Sequence, residues 1–288
     1  IDLRKWAVVA CDQYTSEKEY WERIAAYVSD DPSTLHLIYP EAYLEEPKPQ
    51  QRIDRINATM ASYLKSDLFD TYPESFFLVH RTTGEGPGRW GLIVSLDLEQ
   101  YDYAPDSRTL IRATEGTIVS RIPPRKQIRK DAPLELPHIL VLISDEKRSV
   151  IEPLKERCDR LRMVYDTDLM EGGGHVEAYQ VTGDDLQKVS HALTSMHAHL
   201  DPNNPLLFAM GDGNHSLATA KSCWEDIKSN LSVEEQQSHP ARYALVELEN
   251  IFDPGLVFEP IHRVLFTCRS TAFFSELEHH CTSWQINP

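Results

Sequence analysis

The sequence is poor in cysteine, and the spacing of its cysteines excludes two classes of stapled protein. Five occur among 288 residues, an odd number at wide intervals, and no C-x-x-C pair is present. This spacing argues against a disulfide scaffold and against a cysteine-based structural zinc site. A reducing compartment is the simplest setting, so we expect a cytoplasmic protein. The five are Cys11, Cys158, Cys223, Cys268 and Cys281.

Long apolar runs are also missing from the chain. No stretch approaches the roughly 18 apolar residues that a membrane-spanning helix needs, so we expect no membrane span. No signal peptide is visible either. The chain begins at Ile1 without a methionine and stops at Pro288 without an obvious terminal element. We therefore expect it to be part of a longer protein.

Positive charge is in the minority. The chain has 29 Lys and Arg against 45 Asp and Glu, and its formal net charge is −16. An acidic surface repels polyanions, which argues against nucleic acid as a partner. A local basic site could still hold the phosphate of a small-molecule ligand, and homo-oligomerisation stays open.

The length and composition are those of an ordinary globular protein. At about 150 residues per domain, 288 residues suggest two regions. The segment 102–106 reads as a weak joint between them. We therefore predict an N-terminal α/β region at residues 1–105 and a second α/β region at residues 106–288.

Apolar spacing predicts which segments are strands and which are helices. Because the two kinds of segment alternate, we expect a mixed α/β (α+β) fold with mixed sheets flanked by helices. Strands are predicted at residues 6–11, 35–39, 76–80, 90–96, 137–144, 175–181, 205–210 and 241–248. Helices are predicted after Ser16 and at residues 51–64, 123–129, 151–164, 184–200 and 214–228.

The best candidate for a functional site is a strand that turns through two glycines into a helix. The turn is Gly211-Asp212-Gly213, and the helix begins near Asn214. The first N–H groups of such a helix have no internal partner and, with the helix dipole, favour an anion. We predict a phosphate-binding turn. Asp212 is a candidate Mg²⁺ ligand or proton acceptor, and His215 a candidate phosphate ligand or proton relay.

A purely structural interpretation of this turn stays open. Asp212 or Asn214 could simply cap the helix, because Asp-Gly-Asn is ordinary turn chemistry. The segment lacks the Gly-Lys-Ser/Thr end of a P-loop. Ser216 stands where the dinucleotide fingerprint has its third glycine.

A basic run is the second candidate. Seven cations lie between Arg108 and Lys130, and Glu115 alone opposes them. Arginine suits bidentate recognition of phosphate, although the run could equally neutralise acidic neighbours. Glu115 is a candidate general base on the loop 112–117. The cations are Arg108, Arg112, Arg121, Arg125, Lys126, Arg129 and Lys130.

A third candidate is the pair His262 and Arg263, which follows Glu259-Pro260-Ile261 on an extended segment. Adjacent side chains on such a segment point to opposite faces, so at most one of the two would face a given site.

These motifs resemble the prokaryotic family called domain of unknown function 1015. The likeness covers most of the chain, and its most specific parts are Gly-Asp-Gly-Asn-His at 211–215 and Arg-Ala-Thr-Glu-Gly-Thr at 112–117. Further segments that carry it lie at residues 6–13, 165–175 and 258–265.

The strand–Asp-Gly-x-His–helix pattern also resembles, more distantly, the ParB/sulfiredoxin superfamily of nucleotide-binding proteins. That superfamily includes sulfiredoxin, CTP-binding ParB proteins and an archaeal free-serine kinase. The likeness implies phosphate-binding or catalytic roles for Asp212, Gly213 and His215, and Glu115 matches a catalytic carboxylate best. Ser216 stands where many relatives have arginine, and Asn214 where they have histidine. No cysteine lies in the motif, which argues against sulfiredoxin chemistry.

The resemblance and the motifs together predict a kinase that binds Mg²⁺ and a nucleotide, ATP or ADP, and acts on a small hydroxylated metabolite. Two alternatives stay open. One is a nucleotide-binding regulatory module without turnover, which the serine at 216 favours. The other is a metal-dependent hydrolase that uses Asp212, His215 and His262. The predicted catalytic residues are Glu115, Asp212 and His215, and the predicted phosphate or nucleotide ligands are Arg112, Thr117, Arg121, Gly211, Gly213, Asn214, Ser216, His262 and Arg263.

Overall fold

The structure is a computed structural model that describes residues 1–10, 14–44, 47–84, 86–257 and 266–280. The chain divides into two compact units, Ile1–Leu256 and Val257–Pro288. In the second unit the described structure is the turn at residues 266–269 and one helix, Ser270–His280. All other elements belong to the first unit.

The described helices and strands alternate along much of the first unit. The helices are α1 (Leu3–Trp6), α2 (Lys18–Val28), α3 (Pro49–Lys65), α4 (Ile122–Arg129), α5 (Glu152–Lys155), α6 (Gly183–Ala198), α7 (Asn214–Lys228), α8 (Val233–Ser238) and, in the second unit, α9 (Ser270–His280). The strands are β1 (Phe76–Thr82), β2 (Arg89–Asp97), β3 (Tyr101–Asp102), β4 (Ile111–Arg112), β5 (Leu140–Ile143), β6 (Arg162–Asp168), β7 (His175–Val181), β8 (Phe208–Asp212) and β9 (Tyr243–Asn250).

The nine described strands form one mixed sheet in the order β3-β4-β8-β5-β9-β2-β1-β7-β6. The β3–β4, β4–β8 and β5–β9 pairs are parallel. The other five pairs are antiparallel. This sheet with its helices confirms the predicted mixed α/β fold class.

One face of the sheet forms the main core. Leu92 lies opposite Leu248, and Val94 lies opposite Val246, on the antiparallel pair β2–β9. All four side chains are buried, as are Trp224 and other apolar residues of α7 that pack in the same cluster. Because side chains alternate along a strand, the residues between these positions point to the opposite face. Glu247 is one of them.

Helices α2 and α3 bury most of their apolar faces, but Tyr27 of α2 and Leu64 of α3, which the helical spacing also places on these faces, are exposed. Tyr20, Trp21, Ile24 and Val28 of α2 are buried in one small cluster with Met170. Three apolar residues of α3 are buried in turn: Ile53, Ile56 and Met60.

Three segments differ from the prediction. The expected strand at residues 6–11 begins inside α1, and residues 7–10 form no strand; Cys11 lies outside the described residues. Val8 N donates to Thr34 Oγ1 at 3.2 Å, and Thr34 Oγ1 donates to Trp6 O at 2.7 Å, so a side chain replaces strand pairing here. The expected strand at 35–39 begins as a short 3₁₀ turn, because Ser33 Oγ accepts from Leu35 N and caps it.

The third difference is the expected helix at residues 151–164. It stops after the four residues of α5, a 3₁₀ turn follows, and β6 begins at Arg162. Val164 and Tyr165 favour a strand, which explains why the end of this segment forms β6 and not a helix.

The sheet takes strands from both sides of residue 105, the predicted boundary between two regions. The division at residue 105 stays a prediction about chain organisation. Among the described residues, no helix is both long enough and apolar enough to cross a membrane.

Candidate functional site

The turn between β8 and α7 depends on glycine. Gly213 has φ 82° and ψ 28°, in the left-handed region that other residues rarely adopt. A Cβ at this position would also lie 3.3 Å from Ile139 Cα. Gly211 lies where the β5–β8 register shifts, because Val141 pairs with Met210 and Leu140 with Asp212. The chain therefore makes its predicted turn with a bulge at Gly211 and a left-handed residue at Gly213.

The first turn of α7 presents free backbone donors. The first helical hydrogen bond runs from Leu217 N to Gly213 O at 3.0 Å. The N–H groups of Asn214, His215 and Ser216 precede it, so the helix itself gives them no acceptor. Asp212 Oδ1 accepts from Gly213 N at 2.7 Å, which holds this carboxylate at the helix entrance.

The loop at residues 113–118 packs on this helix start. Thr114 N donates to Asn214 Oδ1 at 3.3 Å, and Thr114 Oγ1 donates to Met210 O at 2.9 Å. Ile118 N donates to His215 Nε2 at 3.2 Å. Two stretches a hundred residues apart in sequence therefore meet, with Glu115 between the two contact points. We call residues 113–118 and 211–216 the loop–helix junction.

His215 is held as a neutral imidazole at this junction. Its pKa is lowered, first by burial and then by the positive charges of Arg121 and Arg125, while Glu115 opposes the shift. Because Ile118 N donates to Nε2, the ring proton lies on Nδ1. His215 can therefore donate a hydrogen bond from Nδ1 near neutral pH.

Three further residues of the basic loop lie at or next to the junction. Glu115 is exposed, and within the described residues its carboxylate has no ion-pair partner. Thr117 Oγ1 is buried and has no hydrogen-bond partner among the described residues. Arg121 ends the 3₁₀ turn Val119–Arg121, and its guanidinium forms no ion pair with any described residue. The exposed side chains of Glu115 and Arg121 are therefore available to a ligand, whereas Thr117 Oγ1 is covered by protein.

Arg112 is engaged elsewhere. It lies on β4 beside Ala209 of β8, and its guanidinium donates to Ser107 O, Asn204 Oδ1 and Pro205 O at 2.9–3.2 Å. These bonds connect β4 to the segment that leads into β8, so Arg112 holds in place the strands that carry the junction.

Most of the remaining basic run is neutralised by acidic neighbours. Lys126 Nζ lies 2.6 Å from Asp226 Oδ2, and Arg129 Nη2 lies 2.7 Å from Glu135 Oε1. Arg125 pairs with Glu41. The cations of α4 therefore neutralise acidic neighbours, which is the alternative that the sequence left open. Arg121, next to the junction, has no ion-pair partner among the described residues.

A charged cluster lies on the face of the sheet opposite the main core, and no sequence motif predicts it. Leu140 of β5 pairs with Asp212 on one side and with Glu247 on the other, which places both acids on one face. Arg89 Nη2 lies 3.2 Å from Glu247 Oε2, and Arg89 Nε lies 2.6 Å from Glu249 Oε1. We call Arg89, Glu247 and Glu249 the sheet-face cluster.

Burial dominates the electrostatics of the sheet-face cluster. Burial raises the pKa of Glu249 to about 7, Arg89 opposes the shift, and the charge of Glu247 adds to it. Burial disfavours the charge of Arg89, but Glu247 and Glu249 overcome it and raise the pKa of the guanidinium, with a smaller contribution from Asp212. Asp212 therefore lies between a helix start and a buried acid–base group.

The sequence signal for this cluster was weak. Glu247 and Glu249 alternate with apolar residues on β9, a pattern that normally indicates a strand with one solvated face. Their partner Arg89 lies about 160 residues away, and no spacing rule connects it to them.

Two cavities lie outside the loop–helix junction. One of about 350 Å³ lies between α4 and α7 and is lined by Val119, Ile122, Lys126 and Ser222, among others. A larger groove of about 820 Å³ lies elsewhere, between the segment 144–149 and α6. No residue of the loop–helix junction lines either cavity, although Val119 of the smaller one directly follows the junction residue Ile118.

The third predicted pair, His262 and Arg263, lies outside the described residues. Within the described ranges, Asp212 and His215 do not belong to any group of three converging metal ligands. The hydrolase alternative, which joins these two to His262, stays a prediction.

Comparison with known proteins gives one match. A family model described as "Protein of unknown function (DUF1015)" matches residues 1–286. No curated protein and no solved structure matches the chain.

Proposed function

Because the chain belongs to the DUF1015 family, whose description names no activity, we propose a function from the site itself. The chain binds a nucleotide with Mg²⁺ at the loop–helix junction and transfers a phosphoryl group to a small hydroxylated metabolite. The distant likeness to the ParB/sulfiredoxin superfamily is part of this proposal. The observation that carries it is the docking of loop 113–118 on the first turn of α7 through Thr114 and Ile118.

The junction supplies donors for phosphate. The free N–H groups of Asn214, His215 and Ser216 and the positive end of the helix dipole bind phosphate oxygens. Arg121 adds a charge that no described carboxylate neutralises. Thr117 Oγ1 is buried without a partner among the described residues, and a movement of loop 113–118 that exposes it to phosphate would give it an acceptor. Arg121 takes the place of the arginine that many relatives have where this chain has Ser216.

The carboxylates fit the remaining roles. Asp212 Oδ2 accepts no hydrogen bond from any described residue, and it would hold Mg²⁺, which proteins bind through one or two carboxylates with waters and phosphate oxygens. Bound Mg²⁺ would neutralise charge on the transferred phosphoryl group. The hydroxyl oxygen of the metabolite attacks the terminal phosphorus of the nucleoside triphosphate, and Glu115 accepts the hydroxyl proton. The nucleoside diphosphate leaves as the bond to the transferred phosphoryl group breaks. His215 donates from Nδ1 to a phosphate oxygen.

The cavity between α4 and α7, which begins one residue beyond the junction at Val119, suits a small acceptor. Its volume of about 350 Å³ lies at the lower end of ligand pockets, and Val119 and Ile122 line it. A metabolite of a few carbons with a hydroxyl group matches this size better than a polymer.

The test is thermal unfolding with ATP or ADP in the presence of Mg²⁺. A ligand at 100 times its Kd adds about 2.7 kcal/mol to the free energy of unfolding, which is a measurable shift in Tm. Asp212→Asn should abolish most of this shift. Asp159→Asn, a change at an exposed aspartate far along the chain, should keep it. A full response in Asp212→Asn would show that the site is assigned wrongly.

Turnover decides between the kinase and the second candidate, a nucleotide-binding module without catalysis. The serine at position 216, where many members of the ParB/sulfiredoxin superfamily have arginine, is the observation that favours the second. ADP release should be measured over a panel of polyols and hydroxyl amino acids. Product that disappears in Glu115→Gln supports the kinase, whereas nucleotide binding without product supports the regulatory module.

A further inference from the structure

A second group of potential ligands lies at the other end of the sheet, on the β6–β7 pair. Asp166 of β6 and Glu177 of β7 are direct cross-strand partners, and His175 lies two residues before Glu177 on the same face. One ligand atom from each of the three residues lies within 4.8 Å of the others. We infer that Asp166, His175 and Glu177 bind a divalent transition-metal ion of the Zn²⁺ type, at a site separate from the loop–helix junction.

The imidazole of His175 is oriented as a metal ligand would be. Its Nδ1 lies 2.8 Å from Asp168 Oδ1, and its Nε2 lies 2.9 Å from Asp166 Oδ1. Metal-ligating histidines commonly donate one ring N–H to a carboxylate, which fixes the ring and directs the other nitrogen at the metal. Asp168 takes this outer position, and Nε2 faces the two other ligands.

Glu177 is held just as firmly. His80 Nδ1 lies 2.9 Å from Glu177 Oε1, and Tyr179 OH donates to Glu177 Oε2 at 2.8 Å. The ring of His80 is itself stacked on Trp90, with centroids 4.2 Å apart. A carboxylate whose outer partners are fixed needs little reorganisation to accept a metal ion.

The charge of the group also favours a cation. Asp166, Asp168 and Glu177 form ion pairs with histidines, and within the described chain no lysine or arginine pairs with any of the three. Three carboxylates against two histidines leave the surface negative at neutral pH. A metal ion supplies the missing positive charge.

The ligand types select the kind of metal. One imidazole with two carboxylates suits first-row transition ions such as Zn²⁺ better than Mg²⁺ or Ca²⁺, which prefer oxygen alone. The side chains of Asp166 and His175 are 51 % and 35 % exposed, so coordination positions stay open to water. Three protein ligands with an open position is the arrangement of a metal that can also take an exogenous ligand.

The experiment measures zinc directly. Protein stripped with a chelator and dialysed should bind one Zn²⁺ per chain by calorimetry, confirmed by elemental analysis. His175→Gln and Asp166→Asn should each weaken zinc binding by about 100-fold or more, and the outer-position variant Asp168→Asn by about 10- to 100-fold. His197→Gln, at an exposed histidine of α6, should leave the affinity unchanged.

Circular dichroism should show that all four variants are folded, because none of these side chains is buried. Zinc affinity that is equal in His175→Gln and the native chain would overturn the inference, as would native protein that takes up no zinc. Equal losses in His197→Gln and His175→Gln would point to scattered surface histidines and would also overturn it.

Discussion

Glu249 is a carboxyl whose pKa is strongly raised by its surroundings. Its side chain is 1 % exposed, and burial raises its pKa to about 7, from an ordinary value of 4.5. Between these two values the folded chain holds a proton that the unfolded chain has released. The folded state therefore loses stability relative to the unfolded state as the pH rises through this window, and the loss is complete above about pH 7.

The variant Glu249→Gln removes this titration. Between about pH 5 and about pH 8, we expect the free energy of unfolding to fall less in this variant than in the native chain. The two decreases should differ by about 3 kcal/mol at most. Denaturant unfolding at the two pH values measures the difference. Glu156→Gln, at an exposed glutamate, should keep the native pH dependence. A native slope in Glu249→Gln would mean that this carboxyl is already ionised at pH 5.

The turn between β8 and α7 supports a prediction about a single element. Gly213→Ala places a Cβ in the left-handed region and 3.3 Å from Ile139, so we expect a loss of stability of about 1–2 kcal/mol. Gly116→Ala is the matched control, because a Cβ there meets nothing within 4 Å. Chemical denaturation of both variants measures the contrast. Equal stabilities would show that the turn relaxes without strain.

Elements with an uninterrupted pattern could be predicted from the sequence. The apolar spacing at residues 51–64 predicts α3, and the apolar runs at 76–80 and 90–96 predict β1 and β2; the structure confirms these elements. Their own residues and turn chemistry are sufficient to specify them. The turn from β8 into α7 belongs to the same class, because its glycines lie between an apolar run and a helical pattern.

Elements decided by distant partners could not be predicted. Residues 6–9 have strand composition, but Thr34 satisfies the backbone of Trp6 and Val8 with its hydroxyl group. The sheet-face cluster joins residues of β2 and β9, and the loop–helix junction joins residues a hundred positions apart. Sequence motifs identify the junction residues. Only the tertiary structure shows that Arg112 holds the strands that carry the junction and that Arg121 lies beside it.

At the scale of the molecule, the two proposed sites lie towards opposite ends of one sheet. In the strand order, β7 is five positions from β8, which is about 24 Å at roughly 4.8 Å per strand. The strands between them carry the buried core residues, among them Leu92, Val246 and Leu248. Changes at sites this far apart, with no shared contacts, usually act independently.

We therefore expect the two sites to be separable by substitution. Asp212→Asn should bind zinc with native affinity, because its carboxylate lies at the loop–helix junction. His175→Gln should keep the full nucleotide-induced shift in Tm. The double variant should lose both responses, each by the amount seen in the single variant. Calorimetry with zinc and thermal unfolding with Mg²⁺ and ATP give the two readouts on the same preparations. If zinc at the β6–β7 pair changes nucleotide affinity at the junction, the sheet transmits a coupling between its ends, and by linkage the nucleotide must change zinc affinity by the same factor.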